Sequence, residues 1–256
     1  MIRAIDVVVP AHDEEAELGR CLLALRAAVA HPGLAGIEVR LAVVLDSCSD
    51  RSGEIAAAAL HGLPGTQIVE CAVRSAGAAR GVGAAALHRG LPARDLSAVW
   101  LAGTDADTRV PPEWLTYQVA VANAGADAVA GVVEVDDWRG QPADVRWAFA
   151  AEYGAGVLGG VHTHVHGANL GVRASALARA GGMPAVALAE DHALVDRLAA
   201  SGAVIARPTS LRVRTSARRE GRAAGGFSDR LRTLGRSAEA SAGSATRPDQ
   251  PAERLR

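Results

Sequence analysis

The stretch Val99-Trp-Leu-Ala-Gly-Thr-Asp-Ala-Asp-Thr108 decides the fold of this chain. Its first four residues are an apolar run, which predicts a buried strand over 99–102. A glycine and a threonine end that strand, and two carboxylates, Asp105 and Asp107, follow at its carboxyl end. Open α/β sheets bind ligands at this edge. Two hard oxygen ligands there suit Mg²⁺ or Mn²⁺, although Asp is also common in plain solvated turns.

The composition limits the classes of protein. The chain has 256 residues, of which 49% are hydrophobic, so one large domain or two small ones can form a sizeable core. A net charge of −1 gives no reason to expect a nucleic-acid partner. Cys21, Cys48 and Cys71 form no Cys-x-x-Cys pair, which favours free thiols in a reducing compartment. Without a signal peptide or a membrane-length apolar run, a cytoplasmic protein of open oligomeric state is expected.

Strand and helix patterns alternate in the first half of the chain. Each predicted strand is a short apolar run, and each predicted helix has apolar residues at helical spacing. The predicted strands cover 5–9, 37–45, 66–73 and 99–102, and the predicted helices cover 16–30, 53–60 and 77–89. This order is typical of a parallel sheet with crossover helices. The strand ends then share one rim, where polar clusters begin at Pro10, Asp46 and Asp105.

The second half is less regular. Helices are predicted over 113–124, 144–158, 174–180 and 189–200, and strands over 128–135, 161–167 and 203–206. From about Arg212 the chain is rich in Arg, and after about Ser237 it is rich in Ser, Ala, Pro and charged residues. This composition predicts an Arg-rich segment and a disordered tail over 221–256.

Taken together, the motifs resemble those of a known family. Family 2 glycosyltransferases of the GT-A fold have the same motifs in the same order. In this chain they are Val7-Val-Val-Pro-Ala-His-Asp-Glu-Glu15, Asp46, Ala79-Arg80-Gly81, Asp105-Ala-Asp107, Gly167-Ala-Asn169 and Glu190-Asp191. The resemblance covers about residues 4–220. It implies a single α/β domain over 1–220, with a mostly parallel sheet flanked by helices. A nucleotide-sugar half would cover 1–107 and an acceptor half 108–220.

The resemblance implies roles for residues on the donor side. Pro10, His12 and Glu14 would line the pocket for the base and ribose, and Asp46 would contact the base. Arg80 would face the nucleotide. Two alternatives remain. Arg80 is a solvated helix residue, or Glu14 and Glu15 only complement the dipole of the helix that follows them.

The two carboxylates after the fourth strand acquire roles as well. Asp105 would contact the ribose or the metal, and Asp107 would bind the Mn²⁺ or Mg²⁺ ion that bridges the donor diphosphate. The carboxylate of Asp46 can accept a hydrogen bond from the imino N–H of uracil or guanine, a donor that adenine lacks. UDP- or GDP-sugars are therefore predicted as donors, with UDP favoured. Some relatives supply a late His as a further metal ligand, whereas only His192 follows Asp191 here.

The acceptor side would lie in the second half of the chain. Asp191 would be the general base that takes the proton from the acceptor hydroxyl, which implies inversion at the anomeric carbon. His166, Gly167, Asn169 and Glu190 would lie on the acceptor side of the cleft. The alternative for the two acids, which open a predicted helix, is capping and complementation of its dipole.

A histidine triplet precedes the Gly167 motif. His162, His164 and His166 lie on one face if their strand is regular. That spacing can bind a metal, but Cys and acid partners are absent nearby, which favours exposed strand positions or the lining of a polar cleft.

Two basic or amphipathic segments follow the last predicted strand. Arg218-Arg-Glu-Gly-Arg222 either holds the donor diphosphate or a phosphorylated acceptor, or is a solvated basic segment. Residues 227–234 are long enough for one or two amphipathic turns against a membrane surface.

Two other classes of function stay open from the sequence. Gly81-Val-Gly83-Ala-Ala-Ala86 fits the G-x-G-x-x-A fingerprint of an NAD(P)-binding oxidoreductase. That fingerprint belongs at the first strand–helix turn, and here it falls inside a predicted helix. A non-catalytic nucleotide-binding relative is the other alternative, and the retention of Asp107 and Asp191 speaks against it.

Overall fold

The computed structural model describes residues 1–89, 95–138, 140–184, 186, 188–218, 230–234 and 236. The strands are β1 (Ala4–Ala11), β2 (Glu38–Asp46), β3 (Thr66–Cys71), β4 (Val99–Gly103), β5 (Thr108–Arg109), β6 (Ala128–Ala130), β7 (Val132–Asp137), β8 (Val157–Leu158), β9 (Val161–His162), β10 (Leu170–Arg173), β11 (Ile205–Ala206) and β12 (Arg212–Ser216). The helices are α1 (Leu18–Val29), α2 (Ser52–Leu60), α3 (Ala76–His88), α4 (Trp114–Asn123), α5 (Ala143–Ala155), α6 (Ala174–Arg179) and α7 (Glu190–Ala200).

A seven-stranded sheet in the order β11-β6-β10-β4-β1-β2-β3 forms the centre of the fold. β1 pairs in parallel with β2 and β4, and β2 pairs in parallel with β3. Only β10 in this sheet is antiparallel to its neighbours, β4 and β6. The predicted α/β fold with a mostly parallel sheet is confirmed. Both halves of the chain contribute strands to this sheet, and the division at residue 107 stays a prediction.

The central strands are apolar on both faces because helices cover both sides of the sheet. Val7 and Val9 on β1 pack in the cluster that includes Leu22 of α1. Val8, which points the opposite way, packs with Val44 and with Ala79 of α3. Because β4, β1 and β2 are parallel neighbours, the segments that follow them meet at one edge of the sheet, which is the predicted rim.

Two glycines change the predicted course of the chain after α5. The predicted helix over 144–158 ends at Ala155, and the predicted strand over 161–167 is limited to β9. Gly159 and Gly160 have φ of +59° and +80°, and they join β8 to β9 as a tight hairpin. Positive φ at both turn residues is what a two-residue hairpin requires, and it stops the helix.

A third glycine divides the predicted strand over 128–135. β6 belongs to the main sheet, whereas β7 belongs to a second sheet of order β5-β12-β7. Between them, a Cβ on Gly131 would lie 2.2 Å from Nδ2 of Asn169 and 2.6 Å from the carbonyl oxygen of Leu211. The chain therefore passes from one sheet to the other where only glycine fits.

The acids before the first helix do not lie within it. α1 begins at Leu18, and its first turn holds no acid, so Asp13, Glu14 and Glu15 lie in the preceding loop. Neither Glu14 nor Glu15 lies in the first turn of α1, and Glu15 instead accepts the backbone N–H of Arg51, the residue before α2.

The C-terminal segment lies mostly outside the described residues. Within it, residues 230–234 are helical, and Leu231 is 1% exposed against Val145 of α5 and Ala217. This apolar side packs on the protein, which contradicts the membrane-surface interpretation at Leu231. Residues 219–222 and 227–229 lie outside the described part. No helix among the described residues is long and apolar enough to cross a membrane.

Candidate active site

A buried arginine joins the end of β4 to the start of α7. Arg80 on α3 donates from Nη2 to Oδ1 of Asp105 at 2.5 Å and from Nη1 to Oε1 of Glu190 at 2.7 Å. Its side chain is 7% exposed. Arg80 is therefore neither a solvated helix residue nor a free cation, and its contact with a nucleotide stays a prediction. It is the counterion of two acids from distant parts of the chain.

Glycines create the space for this arginine. A Cβ on Gly167 would lie 2.7 Å from Nη2 of Arg80, and a Cβ on Gly77 would lie 2.8 Å from Cβ of Glu190. The Arg80 guanidinium can therefore lie close to the segment before β10, and the first turn of α7 can lie close to α3.

Asp191 connects the first turn of α7 to the segment before β10. Its Oδ2 accepts the backbone N–H of Gly167 at 2.9 Å, and its Oδ1 accepts the N–H of His192 at 2.8 Å. The residue at the N-cap position is Ala189, with φ of +52° and no side-chain cap. Asp191 is therefore not the cap of this helix. Together with Arg80 and Glu190 it lines a small cavity of about 20 Å³.

Asp107 meets a different arginine. Oδ2 of Asp107 lies 3.1 Å from Nη2 of Arg218, which follows β12. The same guanidinium makes a bidentate contact with Glu14, from Nη1 to Oε2 at 2.5 Å and from Nη2 to Oε1 at 2.6 Å. Oδ1 of Asp107 accepts from the hydroxyls of Thr108 and Thr215, both at 3.4 Å. The acid is therefore oriented from β5 and β12.

Both carboxylates of the pair are harder to ionise than an ordinary Asp. Burial raises the pKa of Asp105 to about 6, Arg80 opposes the shift, and Asp107 adds to it. Since the Asp105 side chain is 41% exposed, solvent screens part of this effect. Burial also raises the pKa of Asp107, against the opposing charge of Arg218. A cation at this edge would favour the ionised forms of both acids.

The donor set fits a hard divalent cation. Asp105 and Asp107 offer carboxylate oxygens, and the cationic guanidinium of Arg218 already lies against Asp107. Within the described part of the chain, only Asp13, Cys48 and Asp50 bring three ligand atoms within 4.8 Å of one another. Among the described His, Cys, Asp and Glu residues, none adds a close third ligand atom to the predicted pair, which suits an ion that takes its other ligands from water and phosphate.

Asp46 holds the loop after β3. Its Oδ1 accepts the backbone N–H groups of Val73 and Arg74 at 2.9 and 3.0 Å, and its Oδ2 accepts that of Ser75 at 3.1 Å. Asp46 is 5% exposed. Asp46 therefore positions this loop, and its contact with a base stays a prediction. His12, which is exposed, donates from Nδ1 to the Asp46 carbonyl at 2.7 Å.

Pro10 and Glu14 occupy different parts of the donor side. Pro10 is a half-buried residue of β1 paired with Val44. Glu14 is 6% exposed and engaged by Arg218, while its backbone N–H donates to Oγ of Ser52. Roles of Pro10, His12 and Glu14 towards a nucleotide stay predictions.

Asn169 does not reach the cleft. It is fully buried, its Nδ2 donates to the carbonyls of Val132 and Leu211, and its Oδ1 accepts from Nε1 of Trp114, each at 2.9 Å. All of its polar atoms are used in joining the two sheets. The placement of Asn169 on the acceptor side is therefore wrong for its side chain.

The histidine triplet is an aromatic stack against Tyr153. The His164 ring lies 3.7 Å from that of Tyr153 at an interplanar angle of 9°, and the rings of His162 and His166 lie 5.6 and 6.1 Å from that of His164. Nε2 of His162 and of His164 bond to the backbone carbonyls of Ala130 and Tyr153. The triplet is absent from the metal-capable groups of the described residues, and its lining of a polar cleft stays a prediction.

His166 is held neutral. Burial lowers its pKa to about 3, and the neighbouring histidines 164, 192 and 162 add to the shift. Tyr153 accepts the N–H of Val133, so its own hydroxyl is free to donate to Nε2 of His166 at 3.2 Å. His166 precedes Gly167, and therefore lies next to the residue that contacts Asp191.

The dinucleotide-fingerprint interpretation is wrong. Gly81 and Gly83 lie in the middle of α3, not at a strand–helix turn. A Cβ on Gly83 would lie 2.5 Å from Cγ1 of Val8 and 2.7 Å from Cγ2 of Val44. This glycine lets the helix pack on the sheet and cannot cradle a pyrophosphate.

Sequence reasoning missed the contacts of Arg218 and Tyr153. The Arg218 run was noted as basic, but nothing in its spacing indicates that the first of its arginines lies between Glu14 and Asp107. Tyr153 lies on α5, and nothing in its local sequence indicates an aromatic partner. The β8–β9 hairpin reverses the chain, so that the histidine triplet packs against the Tyr153 ring.

The sequence matches a known protein family. Residues 6–181 match the family described as glycosyl transferase family 2. No curated protein sequence gives a significant match.

Several solved structures share the fold at low identity. The mannosyltransferase PcManGT from Pyrobaculum calidifontis, in complex with GDP-Man and Mn²⁺, has a TM-score of 0.61 at 18% identity, covering 95% of this chain and 76% of that one. TarS 1–349 from S. aureus has a TM-score of 0.59 at 13% identity, covering 96% and 74%. Glucosyl-3-phosphoglycerate synthase from Mycobacterium tuberculosis, in complex with Mn²⁺, UDP and glucosyl-3-phosphoglycerate, has a TM-score of 0.54 at 21% identity, covering 96% and 81%.

Proposed function

The chain belongs to glycosyl transferase family 2, and from that premise we propose that it transfers a sugar from a nucleotide diphosphate sugar to an acceptor hydroxyl, with inversion and with a divalent cation. The observation that carries the proposal is the joining of Asp105 to the first turn of α7 through Arg80. Arg80 thus places Asp105 next to the first turn of α7, which contains Asp191.

On the donor side, Asp105 and Asp107 would hold Mn²⁺ or Mg²⁺. When bound, such an ion stabilises the negative charge that develops on the leaving diphosphate. Two of the structural relatives carry Mn²⁺ together with GDP-Man or with UDP, which supports a divalent ion and either base.

On the acceptor side, Asp191 is the general base of the proposal. Its carboxylate accepts two backbone N–H groups, which fixes its orientation and leaves lone pairs for an acceptor hydroxyl. Direct displacement needs one base on the face opposite the leaving group, and it inverts the anomeric centre.

The base of the donor is uracil or guanine in this proposal, with uracil favoured. Oδ2 of Asp46 accepts one backbone N–H, and a carboxylate oxygen has room for a second donor such as an imino N–H. Adenine lacks that donor.

Donor hydrolysis and thermal shift test this function directly. UDP-glucose, GDP-mannose and ADP-glucose are each added with and without Mn²⁺, to the wild type and to Asp107→Asn. We expect stabilisation and turnover with a UDP- or GDP-sugar only when Mn²⁺ is present, and loss of both in the variant. A ligand at about 100 times its Kd stabilises by about 2.7 kcal/mol. Retention of the donor anomeric configuration in the transfer product contradicts inversion. Donor binding without any turnover contradicts the proposal that the protein is an enzyme.

A further inference from the structure

Arg218 occupies the side of Asp107 that faces the loop after β1. Its guanidinium lies between two carboxylates, Glu14 and Asp107, whose side chains are 7% and 15% exposed. Arg218 itself is 25% exposed. Two acids this buried need a neighbouring positive charge, and within the described residues only Arg218 pairs with either of them.

The two contacts differ in how they are made. Glu14 is held by two parallel bonds, from Nη1 and from Nη2, at 2.5 and 2.6 Å. Asp107 is reached by Nη2 alone, at 3.1 Å. Bidentate pairs are the stronger and more specific kind, so Glu14 is the anchor and Asp107 is the weaker, exchangeable partner.

The geometry around Nη2 has a further consequence. This nitrogen carries two N–H groups: it donates one to Oε1 of Glu14, and it lies 3.1 Å from Oδ2 of Asp107 in an ion pair without a directed hydrogen bond. If Asp107 turns to another cation, the guanidinium stays on Glu14 and the second N–H of Nη2 stays beside the site. That N–H can then donate to an anionic oxygen, such as one of a diphosphate.

We propose that Arg218 is the resident counter-cation of Asp107, that a divalent cation displaces it from this carboxylate, and that the exchange makes Arg218 a determinant of metal affinity. The inference rests on the proposed function, because it assumes that Asp107 is the metal ligand. It assigns Arg218 a positioning role that no spacing in the sequence indicates.

Mn²⁺ binding without any donor tests the exchange. Free Mn²⁺ is measured by electron paramagnetic resonance during titration of wild type, Arg218→Gln, Arg218→Lys and Asp107→Asn. Arg212→Gln is the matched control, because it removes an equal charge from the start of the strand that Arg218 follows, where Arg212 pairs with Glu134. Circular dichroism and melting temperature report whether each variant folds.

The proposal expects three results. Arg218→Gln binds Mn²⁺ roughly tenfold more tightly than wild type, which corresponds to about 1.4 kcal/mol of lost competition. Arg218→Lys falls between them, because it keeps the charge but cannot hold Glu14 in a bidentate contact and reach Asp107 at once. Arg212→Gln behaves as wild type.

Other results overturn it in distinguishable ways. Equal Mn²⁺ affinity in wild type and Arg218→Gln, with binding lost in Asp107→Asn, overturns the exchange and leaves the proposed metal site standing. Equal affinities in Arg218→Lys and wild type, with tighter binding in Arg218→Gln, indicate a distant charge effect and also overturn it. If Asp107→Asn binds Mn²⁺ as wild type does, both proposals fail. Should Arg218→Gln not fold, the comparison between Arg218→Lys and wild type decides.

Discussion

Arg80 and Glu190 are 110 positions apart in the chain, and the guanidinium of one donates to the carboxylate of the other at 2.7 Å. Nη2 of the same guanidinium donates to Oδ1 of Asp105. One buried cation therefore sets the position of the first turn of α7 relative to the end of β4. Since Asp191 directly follows Glu190, any displacement of this pair moves the proposed base relative to the donor carboxylates.

We predict that Arg80→Gln destabilises the protein by roughly 2–3 kcal/mol. Breaking a buried pair by removal of one partner costs about 3–5 kcal/mol, and the 41% exposure of Asp105 reduces this. Urea unfolding measures the change. Arg20→Gln is the control, because Arg20 is 65% exposed and lies 3.7 Å from Glu17, so its loss should cost less than about 1 kcal/mol. Equal losses in the two variants would show that Arg80 is not a structural link.

Gly81 and Gly83 of α3 predict opposite effects of the same substitution. Gly83→Ala places a methyl group 2.5 Å from Cγ1 of Val8, a β-branched residue that cannot move aside, and should destabilise by about 1–3 kcal/mol. Gly81→Ala meets only Cβ of Met183, at 3.7 Å, and should stabilise by up to about 1 kcal/mol through helix propensity.

Thermal or urea unfolding of both variants checks this pair, since each serves as the control of the other. If Gly81→Ala destabilises as much as Gly83→Ala does, the packing of α3 described here is wrong. If either variant loses binding of NADH at unchanged stability, the rejected fingerprint interpretation returns.

The sequence predicted the parts of the fold that local patterns determine. The apolar runs of β1, β2 and β4 and their polar ends predicted a parallel sheet with a shared rim, which is confirmed. The contact of Arg80 with Asp105 was not predicted, since no local pattern brings α3 to the end of β4 and the family resemblance implied only that Arg80 would face the nucleotide.

What the sequence could not predict depends on contacts between distant segments. β10 is a strand of only four residues, and its Gly171 leaves room for the side chain of Gln118. Its antiparallel direction depends on its pairing with β4 and β6, which no local pattern indicates. β12 alternates Arg with Val and Thr, which resembles a solvated segment until it is paired with β7. The burial of Asn169 is likewise invisible in sequence, because its partners come from three separate elements.

His166 predicts a pH dependence of stability. Burial and the neighbouring histidines 162, 164 and 192 lower its pKa from 6.5 to about 3 in the folded protein. The unfolded chain therefore takes up a proton first as the pH falls, so this contribution to stability is complete above pH 6.5 and is lost progressively towards pH 3. In His166→Gln the part of the pH dependence due to this residue should be absent.

Melting temperatures between about pH 7.5 and about pH 4 provide the measurement. The wild type should lose more stability over this range than His166→Gln does. His61→Gln removes an exposed histidine of a loop and should follow the wild-type curve. Parallel curves for wild type and His166→Gln would mean that His166 has the same pKa in the folded and unfolded states.

The remaining prediction separates a base from a structural acid at Asp191. Asp191→Asn keeps the shape and can still accept the N–H of Gly167 through its amide oxygen, but it cannot take a proton. Transfer should fall by about 10²–10⁴-fold, because that is the usual contribution of a general base. Donor affinity and melting temperature should remain unchanged, because the donor carboxylates are bound to Arg80 and Arg218, which Asp191 does not contact.

Asp196→Asn is the matched control for this test, since it makes the same change at an exposed position of the same helix. Transfer rate, donor Kd and melting temperature are measured side by side for both variants. A large loss of rate in Asp191→Asn alone identifies the base. Wild-type turnover in that variant would reduce Asp191 to a residue that fixes α7 on the Gly167 segment, and the base would then have to be another acid of the same cleft. Glu190 would be the next to test, because it lines the same cavity and is held there by Arg80.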